Sequence, residues 1–175
     1  LLAEHRTVWL AVWGMDQNIF DQLRDAGYIR TAEWTVAHGD DTFAMQRYDQ
    51  LPEEPLAVFT SGMSLLDARY LPDAGRLDLL WSAEEPLAAE YTVSAFALDA
   101  GGQLVAQFDS FPANDTRPTA SWQAGDVIYD PRPLDLSGLP SGTYTIGVKV
   151  YTWWDGAVFP TGAGEDWFVV TSVTQ

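Results

Sequence analysis

Leu139-Pro140-Ser141-Gly142-Thr143-Tyr144 restricts what this chain can fold into more than any other stretch. Pro140 and Gly142 set a tight turn, and Tyr144 then enters a segment whose side chains alternate. Ile146, Val148 and Val150 share one parity, while Thr145, Gly147, Lys149 and Tyr151 share the other. Alternation of period two sends one set to a core and the other toward solvent. A tyrosine at the head of such a strand can hydrogen-bond back to the preceding crossover and fix the corner between two sheets. Tyr144 is therefore expected to be buried, with its hydroxyl bonded to backbone around Asp135 to Leu139.

Strand signals separated by turns recur on both sides of this corner. Arg76 to Ala83 alternates, with Leu77, Leu79 and Trp81 on one face. Tyr91 to Leu98 and Gln103 to Phe108 flank Asp99-Ala100-Gly101-Gly102, a hairpin signal. Val127 to Tyr129, Thr143 to Tyr151 and Trp167 to Val173 supply further strands. The spacing predicts a mainly β protein whose larger part, residues 53–175, is an immunoglobulin-like β-sandwich of seven to nine strands.

Residues 1–52 read differently. Val8-Trp9-Leu10-Ala11-Val12-Trp13 is a short apolar run bounded by Gly14, the pattern of a buried strand. Asp16 can cap a helix in which Ile19, Phe20, Leu23 and Ala26 recur at helical spacing, and Gly27 stops it. Ile29 to Val36 and Thr42 to Tyr48 are strands around the turn His38-Gly39-Asp40-Asp41. This small β-α-β-β unit has little surface to bury by itself, so it is expected to dock on the sandwich or on sequence upstream. Leu51-Pro52-Glu53-Glu54-Pro55 marks the boundary.

Charge narrows the partners. Twenty-five acidic side chains against nine basic ones give a net charge of −16, and Lys149 is the only lysine. Such a surface repels phosphate backbones and anionic membranes, so nucleic-acid binding is disfavoured. No apolar run reaches the roughly 18 residues of a membrane span, so no direct membrane insertion is expected. Leu1-Leu2-Ala3 is followed at once by Glu4-His5-Arg6, which is not a signal-peptide pattern. The chain reads as a piece of a longer protein whose targeting segment lies outside it. Cysteine is absent, which removes disulfides, thiolate metal sites and cysteine nucleophiles.

Gln107-Phe108-Asp109-Ser110-Phe111-Pro112, Arg117-Pro118-Thr119 and Trp122-Gln123-Ala124-Gly125-Asp126, with Leu139 to Tyr144 and Val148-Lys149-Val150-Tyr151, form an ordered set. This set resembles the soluble C-terminal domain of multi-pass bacterial membrane glycosyltransferases of the dolichyl-phosphate-mannose-protein mannosyltransferase family, of the Chloroflexus type. The resemblance covers roughly residues 75–173, and the N-terminal piece is similar to the segment joining membrane helices to that sandwich. It implies an accessory domain on the extracytoplasmic face of a bacterial membrane, attached to the membrane-embedded portion of the same polypeptide. Thr152-Trp153-Trp154-Asp155-Gly156 departs from the Asp-Pro and polar turn usual at that point. The transferase's membrane helices and catalytic loop have no counterpart here, so no catalytic residue is carried over.

The motif residues have readings in physical terms as well. Trp122 is expected to plug the end of the sandwich core, with ligand stacking as its competing role. Asp109 and Asp126 are expected to accept backbone hydrogen bonds in long connections. Gly142 and Tyr144 build the corner.

Chemistry is harder to find. His5 and His38 lack partners at metal-ligand spacing, and no phosphate loop, His-Glu-x-x-His or Gly-x-Ser-x-Gly is present. The doublets Asp40-Asp41, Glu53-Glu54, Glu84-Glu85 and Glu165-Asp166 sit beside turns, and adjacent residues of an extended chain point apart, which suits loop solubility better than acid–base pairing. No cofactor and no metal is assigned, although loop carboxylates on so acidic a surface leave calcium open. Asn114-Asp115-Thr116 fits a glycosylation sequon. The aromatics stand out: among eight tryptophans, Trp153-Trp154 is the hardest pair to bury, since strand neighbours face opposite ways. Trp153, Trp154 and Phe159, beside Asp155, can form a platform for sugar rings, with Trp167 either joining it or lying in the core.

The expected function is a non-catalytic accessory domain of a membrane glycosyltransferase that positions glycan or acceptor protein. A stand-alone carbohydrate-binding module is the alternative, and a glycosidase using scattered carboxylates is a third.

Overall fold

The computed structural model describes residues 5–13, 17–39 and 41–175. Gly14, Asp16 and Asp40, assigned above to a strand end, a helix cap and a turn, lie outside the described residues. The chain divides into two compact units, Leu1–Glu53 and Glu54–Gln175.

In the first unit the order is β1 (Thr7–Val12), α1 (Gln17–Asp25), β2 (Tyr28–His38) and β3 (Asp41–Gln50). β3 lies between β1 and β2 and runs antiparallel to both. Leu23 of α1 is buried against Tyr28 and Tyr48, with Val8, Leu10, Ile19 and Phe20 around them. Gly27 ends the helix at φ +80°, a left-handed conformation glycine takes without penalty. β1 is not the buried strand its apolar run suggests. It is an edge strand, with Trp9 and Trp13 exposed. Its alternate residues Val8 and Leu10 pack on the Leu23–Tyr28–Tyr48 cluster, while Trp9 stacks edge-on against Trp34 and over the Arg47 guanidinium.

The second unit is a β-sandwich. One antiparallel sheet runs β4 (Ala57–Val58), β5 (Met63–Leu71), β6 (Arg76–Ala83) and β9 (Val127–Pro133). The other runs β11 (Phe168–Thr174), β10 (Thr143–Tyr151), β7 (Thr92–Leu98) and β8 (Leu104–Ser110). With β5, β6 and β9 as strands A, B and E, the second sheet has the order G-F-C-C′ of an immunoglobulin-like sandwich. The alternating sets meet between the sheets: Leu77, Leu79 and Trp81 from β6, Val93, Ala95 and Ala97 from β7, and Ile146, Val148 and Val150 from β10.

Tyr144 is buried at the head of β10, and its hydroxyl donates to the Pro140 carbonyl at 2.6 Å, one residue beyond the expected stretch. The crossover is thereby tied to the strand it feeds. Gly142 is not sterically required there, because a Cβ would meet the Tyr144 hydroxyl at an ordinary 3.7 Å. Trp122 is fully buried, its indole N–H donating to the Arg117 carbonyl at 3.0 Å, so it plugs the core as expected. Trp167 does not enter the core. β11 begins at Phe168, and the Trp167 ring lies on the outer side of the sheet over Gly147, where an added Cβ would come within 2.4 Å of it.

One core feature has no precedent in the apolar pattern. Asp130 and Arg132, alternate residues of β9, are fully buried between the sheets. Arg132 Nε donates to Asp130 Oδ2 at 2.9 Å, while Nη2 lies 2.8 Å from the same oxygen as an ionic contact. The carboxylate also accepts the Trp81 indole N–H at 3.0 Å and the Ala113 amide at 2.8 Å. Arg132 Nη1 reaches across to the carbonyls of Val93 and Ser110, at 2.7 and 3.2 Å.

Two stability outcomes follow. Tyr144→Phe keeps the ring and removes the corner bond, so it should cost about 1 kcal/mol in urea denaturation. A change indistinguishable from zero would mean that the corner bond does not stabilise the fold. Arg132→Met strands a buried carboxylate and should cost about 3–5 kcal/mol, whereas equal stability would deny the pair its structural role.

Candidate functional site

β10 continues into a closed turn. Phe159 N–H donates to the Val150 carbonyl at 2.9 Å, and Val158 bridges Tyr151. Between them, Thr152 N–H donates to the Ala157 carbonyl at 3.0 Å, and Gly156 N–H to the Thr152 carbonyl at 2.8 Å. Gly156 sits at φ +71°, where a side chain would be strained. Trp153 and Trp154 occupy the tip. Because they lie in a turn and not on a strand, the rule that one of two neighbours faces the core does not apply. Both are exposed, at 65% and 51%, and their rings meet edge to face at 6.2 Å.

Asp155 fixes this geometry from below. Its Oδ1 accepts the Thr152 hydroxyl and the Ala157 amide, the latter at 3.1 Å. Those two bonds, the Thr152 hydroxyl first, hold its carboxyl below the usual aspartate range. Asp155 is itself exposed and directly follows the indole pair in the turn.

Phe159 does not join them. It packs edge-on against Tyr91 at 4.8 Å, at the border of the sandwich core. The candidate platform is therefore Trp153, Trp154 and Asp155. Trp167 pairs with Phe96 at 5.1 Å on the outer sheet face.

Asp126 behaves as expected, accepting the Gln123 amide at 3.0 Å in the connection before β9, with Arg117 paired to it at 3.3 Å. Asp109 does not. It lies on β8 and accepts side-chain donors, Gln107 Nε2 at 2.8 Å and the Tyr151 hydroxyl at 3.3 Å. Gln107 and Tyr151 are not among the residues that the sequence pattern singles out, although each shares outward parity with Asp109 or Lys149 on its strand. Glu84 and Glu85 are exposed and line an open hollow of about 400 Å³ with Thr60, Ser61 and Leu87. Among the described residues, no three His, Asp or Glu side chains are grouped to hold a metal ion. No helix among them is long and apolar enough to cross a membrane.

No family model and no curated protein matches this chain. Among solved structures it is similar to an endonuclease/exonuclease/phosphatase from Beutenbergia cavernae DSM 12333, at 13% identity and a TM-score of 0.30. The match takes in 85% of this chain and spans 35% of that one, and at such a score it carries no argument about fold or chemistry.

The turn makes its own prediction about pH. Because the folded Asp155 carboxyl titrates below its unfolded value, its contribution is complete above the unfolded range and is lost as pH falls through the lowered folded value. In an NMR titration, the Ala157 amide should report an inflection below the ordinary aspartate range. An inflection at or above that range would refute the bonding scheme.

Proposed function

We propose that this chain is a non-catalytic binding module that presents the Trp153-Trp154 pair to a glycan. The observation that carries this reading is the exposure of two adjacent indoles on a turn held by its own hydrogen bonds. Large apolar rings left in water cost free energy that a partner can recover. A pyranose has an apolar face of C–H groups that suits an indole, and its hydroxyls can donate to a carboxylate such as Asp155. The resemblance to the soluble domains of dolichyl-phosphate-mannose-protein mannosyltransferases supports an accessory role. On that reading the domain stands on the extracytoplasmic face, joined to the membrane-embedded portion of its polypeptide, and positions glycan or acceptor for a catalytic centre elsewhere.

The same exposed pair also suits docking to a neighbouring protein surface. Binding of sugars separates the two readings. Each stacked ring should add roughly 0.5–1.5 kcal/mol, taking aromatic pairs as a guide, so single sites should fall between high micromolar and millimolar dissociation constants. A glycan array followed by NMR titration of the best ligands should show shifts at the turn that Trp153→Ala and Trp154→Ala reduce. Both variants should stay within about 0.5 kcal/mol of the parent stability, as exposed sites do. If no sugar moves these resonances, the glycan reading fails and the docking reading takes its place.

A further inference from the structure

Beside this turn, the outer face of the β8–β7–β10 sheet carries a second arrangement of side chains. Registered strands place Asp109, Ser94 and Lys149 directly across from one another on β8, β7 and β10. Tyr151 flanks this row on one side. On the other lies Trp167, whose ring covers Gly147 and leans on Phe96. The two aromatic walls are separated by the rise of four strand residues, about 13 Å, which is longer than one sugar ring.

The row offers a ligand its two ends: Ser94, at its centre, is fully buried, while Asp109 and Lys149 reach the surface. Asp109 Oδ2 is held by Gln107 and Tyr151, which leaves Oδ1 without a donor among the described residues. Gln107 is itself anchored by Ser94, at 3.2 Å. Lys149 packs its ammonium 5.3 Å from the centre of the Tyr151 ring and forms no ion pair among the described residues. It is the only lysine in a chain of net charge −16. Here it keeps its three N–H donors for solvent or a ligand. Asp109 is exposed and Lys149 half-exposed, so both are accessible.

We infer that this sheet face, bounded by Tyr151 and Trp167, binds a neutral oligosaccharide whose hydroxyls donate to Asp109 and accept from Lys149. This deepens the glycan reading above and rests on it. Fixed donors and acceptors between two aromatic walls match a chain of sugar rings, which offers hydroxyl edges and apolar faces in alternation. The ligand is neutral because Lys149 and Asp109 cancel locally while the whole chain repels anions. A peptide adding to a sheet uses free edge amides, and the centre of this face offers none.

The test is an NMR titration of the full chain with linear gluco-, manno- and N-acetylglucosamine oligosaccharides, with an oligogalacturonate as the acidic comparison. One neutral series should shift amides of β7, β8 and β10 around Ser94, Asp109 and Lys149. Lys149→Met and Asp109→Asn, which keep side-chain bulk, should each weaken that binding about tenfold, the worth of one charge-assisted hydrogen bond. Shifts confined to Trp153 and Trp154, unmoved by both variants, overturn the sheet-face site and leave the turn's role standing. Preference for the acidic oligosaccharide overturns the neutral ligand. Shifts from no sugar at all overturn both readings together.

Discussion

The buried Asp130–Arg132 pair ties the two sheets of the sandwich together. Removing two ions from water costs several kcal/mol each, and only good geometry with additional hydrogen bonds offsets it. Here the carboxylate collects the guanidinium, an indole N–H and a backbone amide, while the guanidinium collects two carbonyls. The amide belongs to Ala113, first of three consecutive left-handed residues with φ of 54°, 52° and 65°. Asn114 and Asp115 tolerate such backbone, but for Ala113 it is strained and persists because surrounding bonds hold it. Asp130 holds its start. Thr116 reinforces the turn by donating to the Ala113 carbonyl at 2.7 Å, and Asp115 accepts the Phe111 amide at 2.8 Å.

This pair also positions the surface. Val93 and Ser110 are cross-strand partners, and Arg132 bonds both of their carbonyls. Their neighbours Ser94 and Asp109, also paired, point the opposite way and form the polar row on the outer face. A core ion pair thus fixes the register of the strands that carry candidate ligand-binding side chains. Fold alone does not specify function, but a sheet pinned from inside presents its outer side chains with little freedom left to lose on binding.

Much of this was legible in the sequence, and the exceptions have physical reasons. β6 and β10 were readable end to end because one face is purely apolar, and Tyr144 marked the corner. β5 was missed: Asp67 interrupts its apolar residues, and a bulge between Leu65 and Asp67 shifts the alternation. β9 was cut short at Tyr129 because Asp130-Pro131-Arg132 has the composition of a turn, and two ions in a core contradict the usual sorting of charge to the surface. Trp167 illustrates the reverse case. Its size argues for the core, yet the absent Cβ of Gly147 opens a berth for it on the outer face.

The candidate site shows the same division. Exposure of the Trp153-Trp154 pair followed from its difficulty of burial, but the expected geometry did not, since a turn lets both rings emerge where a strand would have hidden one. Proximity in sequence places Phe159 with them, but the closing hydrogen bond to Val150 carries it back toward Tyr91 instead. The outer sheet face was hidden by the opposite problem. Asp109, Lys149 and Tyr151 are adjacent only once β8, β7 and β10 are in register, which no local spacing reveals. Tyr151 lies one residue before the buried Thr152 and two before Trp153, so the outer face of β10 leads directly into the turn. On the proposed glycan reading, a sugar chain running along that strand would lead toward the turn that carries the indole pair. If both proposed sites hold one glycan, two weak contacts would act through their shared ligand, and affinity would rise through effective concentration without any deep pocket. On that reading the module would hold a polymer in place, because each contact would release easily while the sugar chain as a whole stayed bound.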